Sequence, residues 1–243
     1  MTRITHTLEV WGDFACFSRP ELKVERFSYP CPTPSAARGI FDAIYVKPTE
    51  FRWQIVSIEL LTFPTYIALR RFEVKEKIST YTVSTWMTRR TVPEPLWADR
   101  EPAPRGSDEK GRTLRQTMAL RDVRYRLHAQ IRPWASAANR QAAYDAQFRR
   151  RAAQGKCLYQ PYLGCREFAA FFTLVTEPSA PPRPVPVTMD LGYMLYDVFD
   201  LSKPGRPTDT AAISLFDARI RSGTLDVPEF DSIDVLKAAD ASC

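Results

Sequence analysis

From residue 3 to residue 11 apolar and polar positions alternate, with Ile4, His6, Leu8 and Val10 on one side and Arg3, Thr5, Thr7 and Glu9 on the other. That period of two predicts a strand with one buried face. The period then changes. After the proline-rich turn 30–34, Thr33 can cap and Pro34 can start a helix whose apolar positions Ala37, Ile40, Phe41, Ile44 and Tyr45 recur every three or four residues until Pro48 stops it. Residues 51–61 form a β-rich run, and 65–83, where Arg70, Arg71, Lys75 and Lys77 cluster, fit a second strand pair. The prolines and glycines of 93–112 predict a long mobile loop. The clearest alternation runs from 123 to 131: Val123, Tyr125, Leu127, Ala129 and Ile131 point one way, while Arg124, Arg126, His128, Gln130 and Arg132 point the other, giving a cationic exposed face. Residues 138–154 read as a helix ending at Gly155, with Tyr144 and Phe148 on one face and Arg149, Arg150 and Arg151 in its last turn, where cations complement the helix dipole. Residues 167–175 are another apolar strand, 177–186 are too proline-rich for helix or sheet, and 193–199 and 225–227 are short β-like runs.

Strand, helix, strands, strand, helix, strand is the order of an α+β, ferredoxin-like (RRM-like) βαββαβ domain, which takes in residues 1–176. A linker at about 177–186 leads to a small antiparallel β C-terminal domain at 187–243, whose strands are too few to enclose a core alone and are expected to dock on the first domain. Such a scaffold commonly binds RNA through its sheet and flanking loops, but function has to come from the residues mounted on it.

Composition narrows the classes. In 243 residues, 44% of them apolar, no stretch approaches the roughly 18 uninterrupted apolar residues of a membrane span, and the N-terminus lacks the apolar core and cleavage site of an export signal. A cytoplasmic protein is expected. Five cysteines without a CxxC pair read as reduced thiols. His6 and His128 are the only histidines, and the nine glycines form neither GxGxxG nor a Walker loop, so no metal and no cofactor is expected. The net charge of +6 conceals an asymmetry: residues 105–156 hold thirteen Lys or Arg against four Asp or Glu, a net of +9, whereas the part after Met189 carries −5. A concentrated cationic segment is the footprint of a polyanion partner, because each neutralised phosphate releases counterions. Nucleic acid is therefore the leading partner class, duplex DNA included, against the plain alternative that the charges only solvate a surface.

The residues that could carry chemistry each have a plain structural alternative. Tyr45 and Tyr144 could be core phenols with bonded hydroxyls. His128, the one well-placed imidazole, could be a satisfied surface or RNA-contact residue. Among Trp11, Trp53, Trp86, Trp97 and Trp134, which could fill cores, Trp86 and Trp97 lie nearest polar, proline-broken sequence and are the better candidates for stacking on bases.

Several segments carry a resemblance. The opening Val10-Trp-Gly-Asp-Phe-Ala-Cys-Phe17, Ser28-Tyr-Pro30 with Thr33-Pro-Ser-Ala-Ala-Arg-Gly-Ile40, and Ala43-Ile-Tyr-Val-Lys-Pro48 are similar to the CRISPR-associated Cas-five family of the type I-C (Dvulg) subtype. Leu120-Arg-Asp-Val-Arg-Tyr125, the run from Arg149-Arg150 through Gly155-Lys-Cys to Pro161-Tyr-Leu-Gly-Cys-Arg-Glu-Phe168, and Asp190-Leu-Gly-Tyr-Met-Leu-Tyr-Asp197 resemble the same family in the same order. The resemblance spans nearly the whole chain, and the Tyr-Leu-Gly-Cys-Arg-Glu block is quite specific.

The resemblance implies a metal-independent endoribonuclease that cuts CRISPR precursor RNA at the 3′ base of the repeat hairpin and stays with the product among the other type I-C Cascade subunits, with no membrane role. The 2′-hydroxyl attacks the adjacent phosphate, leaving a 2′,3′-cyclic phosphate and a 5′-hydroxyl. In the family the work resembles that of a tyrosine at the end of the first helix and a Lys-His pair at the start of the second. Tyr45 matches the tyrosine; counted back from Gly155 through Arg150, the pair falls on Ala143-Tyr144, where neither the cation nor the imidazole is present. This leaves three outcomes: slow cleavage, cleavage by Tyr45 with Tyr144 and Arg140 or Lys156, or loss of cleavage and a non-catalytic subunit that grips the repeat tag. The catalytic candidates are Tyr45 and Tyr144. Arg124, Arg126, His128, Arg140, Arg149, Arg150 and Lys156 are the candidates for holding RNA phosphate.

Overall fold

The alternation at the start of the chain becomes strand β1 (Thr5–Ala15) in a computed structural model, which describes residues 3–22, 24–74, 78–89, 92–93, 112–176, 182–206 and 208–237. A short strand β2 (Arg26–Phe27) precedes helix α1 (Pro34–Ile44). This helix begins as its sequence dictates: Thr33 Oγ1 accepts the Ala36 N–H at 3.1 Å and Pro34 sits in the first turn, where its missing N–H is no loss. It stops at Ile44 rather than at Pro48, because Tyr45 turns extended, with φ −154°. Strands β3 (Phe51–Leu60) and β4 (Thr65–Val74), helix α2 (Thr80–Arg89) and strand β5 (Arg112–Pro133) follow. A 3₁₀ turn (Ala135–Arg140) then leads into α3 (Gln141–Ala153) and β6 (Phe171–Leu174), and β7 (Met189–Asp197), β8 (Ser214–Arg221), β9 (Thr224–Asp226) and β10 (Val235–Lys237) end the chain.

Helix α2 corrects the expectation of a strand reaching Val83. The Ser79 hydroxyl accepts the Thr82 N–H at 3.0 Å, which starts a helix, and the hydroxyls of Thr85 and Thr88 bond back to the Tyr81 and Ser84 carbonyls. Capping and back-bonding thus override the β-branched composition. The expected loop at 93–112 lies almost wholly outside the described residues.

The chain divides into two compact units, Met1–Ile67 with Met118–Cys243, and Ala68–Thr117. The second holds α2, most of β4 and the first residues of β5. Strand β4 pairs with β5, the Arg115 guanidinium lies 3.3 Å from Glu73, and that of Arg112 lies over the Phe72 ring.

The first unit is mixed α and β, with few helices on a large antiparallel sheet in the order β10-β8-β9-β3-β5-β1-β6. The register sets Val10 opposite Tyr125, Leu8 and Ile58 opposite Leu127, and Trp53 opposite Ile131. All of them are buried on one face, where α1 and α3 cover them: Phe41 and Phe148 meet the Trp53 ring at 4.9 and 4.7 Å. Each such side chain contributes about 1.5–3 kcal/mol through burial. His6 faces the same way, with Nε2 2.7 Å from Asp145 Oδ1, and so ties β1 to α3. Beyond β3 the sheet continues into β9, whose Leu225 lies opposite Ile58. Residues 182–187 make no strand, yet Val185 N–H donates to the Leu60 carbonyl and Gly223 N–H to the Val187 carbonyl. Among the described residues no helix is long and apolar enough to cross a membrane.

Gly164 closes the loop against β1. Its φ is +84°, and a Cβ there would lie 2.0 Å from the Cys16 carbonyl oxygen. Gly164→Ala combines a left-handed backbone with a clash against main chain, and urea unfolding should show a loss of at least about 2 kcal/mol.

Candidate active site

The chain leaves α1 through a turn that is held from every side. The Tyr45 N–H donates to the Phe41 carbonyl and the Tyr45 carbonyl accepts the Trp53 indole N–H, both at 2.9 Å. Glu50 and Phe51 donate to the Lys47 carbonyl, while Trp134 donates its backbone N–H to Glu50 and its indole N–H to the Pro48 carbonyl. From the last turn of α3, Arg151 Nε donates to the Ile44 carbonyl at 2.7 Å. This arginine was expected to complement its own helix dipole; it also caps the C-terminal end of α1.

Phe51 stands between the two tyrosines, its centroid 5.3 Å from that of Tyr45 and 5.2 Å from that of Tyr144. Tyr144 is buried, and its hydroxyl donates to Glu50 Oε2 at 2.5 Å. The other oxygen of Glu50 takes the Lys47 ammonium at 2.9 Å, and Arg140 lies 3.4 Å from Oε2. The Lys47 ammonium is also 5.7 Å from the Tyr144 ring centroid. Tyr45 is only 8% exposed, and among the described residues its hydroxyl has no hydrogen-bond partner. The structure therefore brings together both tyrosines named from sequence, and adds Lys47 and Glu50.

The electrostatics follow from this geometry. Burial raises the Tyr45 phenol above its ordinary value, with Glu50 acting in the same direction against Lys47 and Arg151. Burial and then the bond to Glu50 raise Tyr144. Glu50 is pulled down to about 2, first by the Tyr144 hydroxyl and then by Lys47, and its own bond raises Lys47 in return. At neutral pH the site holds two neutral phenols, a carboxylate and three cations, Lys47, Arg140 and Arg151. It can donate hydrogen bonds and compensate negative charge; neither phenol is a ready base.

A group whose folded pKa is depressed stabilises the fold above its unfolded value and loses that contribution as pH falls towards the folded one. For Glu50 the window runs from its ordinary value near 4.5 down to about 2. The stability gap between the wild type and Glu50→Gln should be constant above about pH 5.5 and narrower at pH 3, as urea melts at the two pH values would show.

The remaining candidates fall into two groups. Arg140, Arg149, Arg150 and Lys156 are exposed in or beside α3, with Arg150 bonded to Gln147. Arg124, Arg126 and His128 lie on the opposite face of the sheet, because they alternate with Val123, Tyr125 and Leu127, which face the helices. Of the two cationic elements read from sequence, the helix therefore lies beside the phenol, and the strand turns its cations away. That face is also less cationic than its sequence. Arg124 bonds Glu9 at 2.6 Å and lies over Trp11, while Arg126 is buried between Glu59 and the Pro182 carbonyl. His128 Nδ1 is 3.0 Å from Thr7 Oγ1 and its Nε2 3.4 Å from Glu59; burial lowers its pKa and keeps it neutral at pH 7. Trp86 sits on α2 in the second unit, and Trp97 lies outside the described residues.

A mixed α and β protein with this sheet and this turn falls in a known class: residues 6–228 match the family described as CRISPR-associated protein (Cas_Cas5). The match takes in all but the ends of the chain, and the chain belongs to the Cas5d family. It is 38% identical to the CRISPR pre-crRNA endoribonuclease Cas5d of Thermus thermophilus over 91% of this chain and 90% of that protein. Identity to the CRISPR pre-crRNA endoribonuclease Cas5d of Mannheimia succiniciproducens is 36%, over 94% and 96%. The fold is similar to the crystal structure of a CRISPR-associated protein, with a TM-score of 0.64 at 18% identity over 96% of this chain and 97% of that one. A functionally uncharacterized Streptococcus mutans protein matches with a TM-score of 0.58 at 18% identity, over the same shares.

Proposed function

We propose that the protein is an endoribonuclease that cleaves CRISPR precursor RNA within the repeat hairpin and then stays in a type I-C interference complex. The names of its relatives support the activity, and one observation carries it here: a phenol whose hydroxyl has no partner among the described residues stands at a tightly bonded turn, with Lys47 and Arg151 near it and Arg140 on the adjoining Glu50. Strand order supports the finer reading of the scaffold. With connectivity β1-α1-β3-β5-α3-β6 and spatial order β6-β1-β5-β3, the first unit reads as a ferredoxin-like split βαβ, and the strands after residue 187 as a small β domain docked on it through β9.

Attack of a 2′-hydroxyl on the neighbouring phosphate builds negative charge on the phosphorane oxygens and on the departing 5′-oxygen. Lys47 and the α3 cations compensate the first. The attacking 2′-hydroxyl gives its proton to solvent, since neither phenol is a ready base, while the neutral Tyr45 hydroxyl orients the reacting oxygens, supplies a proton to the second and is reprotonated from solvent. Tyr144 and Glu50 act one step back, holding the Lys47 ammonium in place. Lys47 thus provides the cation missing from Ala143-Tyr144, and the reading needs no metal to balance charge. Arg149, Arg150 and Lys156 hold the RNA backbone, and Arg124 extends the contact on the far face; the buried, paired Arg126 positions the sheet instead.

Incubation with an end-labelled repeat hairpin in EDTA tests the reading. One cut, leaving a 2′,3′-cyclic phosphate and blocked by a 2′-deoxy nucleotide 5′ of the cut, is expected. Tight binding of intact RNA would make the protein a tag-binding subunit instead, and equal competition by unrelated duplex DNA at moderate salt would make it a general nucleic-acid binder.

A further inference from the structure

The turn that carries Lys47 and Glu50 has a second side. Val46, Pro48 and Phe51 line a pocket of about 250 Å³ whose other walls include Trp53, Trp134 and Phe199. Phe51 is shared with the reaction site, since it also touches Tyr45 and Tyr144. Trp134 cannot drift from this wall, because both its N–H groups are bonded to the turn. The pocket is therefore built from aromatic faces and is separated from the proposed cleavage centre by the Phe51 ring, which both share.

Its rim is cationic. Arg38, Arg52, Lys203 and Arg206 line it. Arg38 is taken up by Asp42 and Asp197, Arg52 by Asp231 and Lys203 by Asp200. Among the described residues the Arg206 guanidinium has no carboxylate partner, and the Arg38 guanidinium lies 5.8 Å from the Phe199 centroid. The volume is below the roughly 300–1,000 Å³ of pockets that take drug-sized ligands, so it holds one small ring system and excludes a base pair. Aromatic walls, a guanidinium with no carboxylate partner among the described residues and a wall shared with the proposed cleavage site together fit one occupant chemistry: a flat base attached to a phosphate.

Building on the nuclease reading, we propose that this pocket receives a single unpaired nucleobase of the RNA next to the scissile phosphate, stacked against Phe199 and Trp134, with Arg206 on its backbone. Taking a base out of a stack costs least where it is already unpaired, so the pocket selects the junction between hairpin and single strand and sets the register of the cut. Phe199 and Arg206 become specificity residues, separate from those that do the chemistry.

Fluorescence anisotropy tests this on the full chain, with Phe199→Ala as the variant, since Phe199 is 52% exposed and its truncation leaves the core intact. The probe is a labelled repeat hairpin carrying 2′-deoxy nucleotides around its 3′ base, which bind without being cut, together with a series bearing one abasic site at each flanking position. Phe199→Ala should weaken binding on the order of tenfold, and one abasic position should weaken the wild type equally and erase its difference from the variant. Equal affinities, no binding at all, or a Phe199→Ala effect that persists at every abasic position would overturn the pocket. Cleavage of all-ribose RNA is scored separately. A cut without any Phe199 effect leaves the nuclease standing without the pocket, and a position-specific effect without a cut leaves the pocket standing without the nuclease.

Discussion

Lys47→Met should slow single-turnover cleavage on the order of 10²–10³-fold while leaving RNA affinity within a few-fold of the wild type. The ammonium is 2.9 Å from Glu50 and faces the Tyr144 ring, in a turn whose backbone is bonded to α1, β3 and Trp134. Met retains the unbranched stem and loses only the charge, so packing is kept. The loss falls on the rate because phosphorane charge exists only in the transition state, whereas the ground-state contacts we propose to the RNA backbone are spread over Arg149, Arg150 and Lys156. Lys47→Arg should recover part of the rate, since its charge persists but its planar fork does not reproduce the point contact of an ammonium. Rapid-quench measurements with protein in excess over labelled RNA give these rates directly.

Tyr45→Phe is the second large effect, about 10²-fold in rate with stability within about 0.5 kcal/mol of the wild type. The ring is held by Phe51, and its hydroxyl has no partner among the described residues, so removing one oxygen breaks no internal bond. A phenol that stabilised only the fold would show the reverse pattern, a lowered melting temperature and an unchanged rate. Because burial holds Tyr45 protonated, the wild-type rate should not fall through neutral pH on its account; a decline belongs above its ordinary value near 10.

Much of this arrangement was legible in the chain because local rules and tertiary packing agree. The alternation around Leu8 and around Leu127 gave β1 and β5 with the correct buried faces, and Thr33-Pro34 gave the start of α1. Tyr45 and Tyr144 were found, one by its place at the end of α1 and the other by its helical spacing from Phe148. Lys47 and Glu50 were missed, although they are three residues apart in the turn that Pro48 marks; their chemistry arises only when α3 sets Tyr144 and Arg140 over them, a contact between positions 94 residues apart. Strand β8 was also missed, though Ser214, Phe216, Ala218 and Ile220 alternate and are buried, and though Ser222 and Gly223, both with positive φ, form the hairpin turn into β9. The cationic face of β5 was overread because its compensating carboxylates, Glu9 and Glu59, come from β1 and β3, and only the strand register reveals that they lie opposite Arg126.

The proposed nuclease divides its labour: chemistry at the turn after α1, and only binding on the far face of the sheet. Single-turnover cleavage of the repeat hairpin by Tyr45→Phe and Arg124→Ala, followed at increasing protein excess to give a limiting rate and a half-saturating concentration, measures that division. The limiting rate should fall about 10²-fold at nearly unchanged half-saturation for Tyr45→Phe, and half-saturation should rise at the wild-type limiting rate for Arg124→Ala. A Tyr45→Phe enzyme with the wild-type limiting rate beside an Arg124→Ala enzyme that has lost it would put the chemistry on the other side of the sheet.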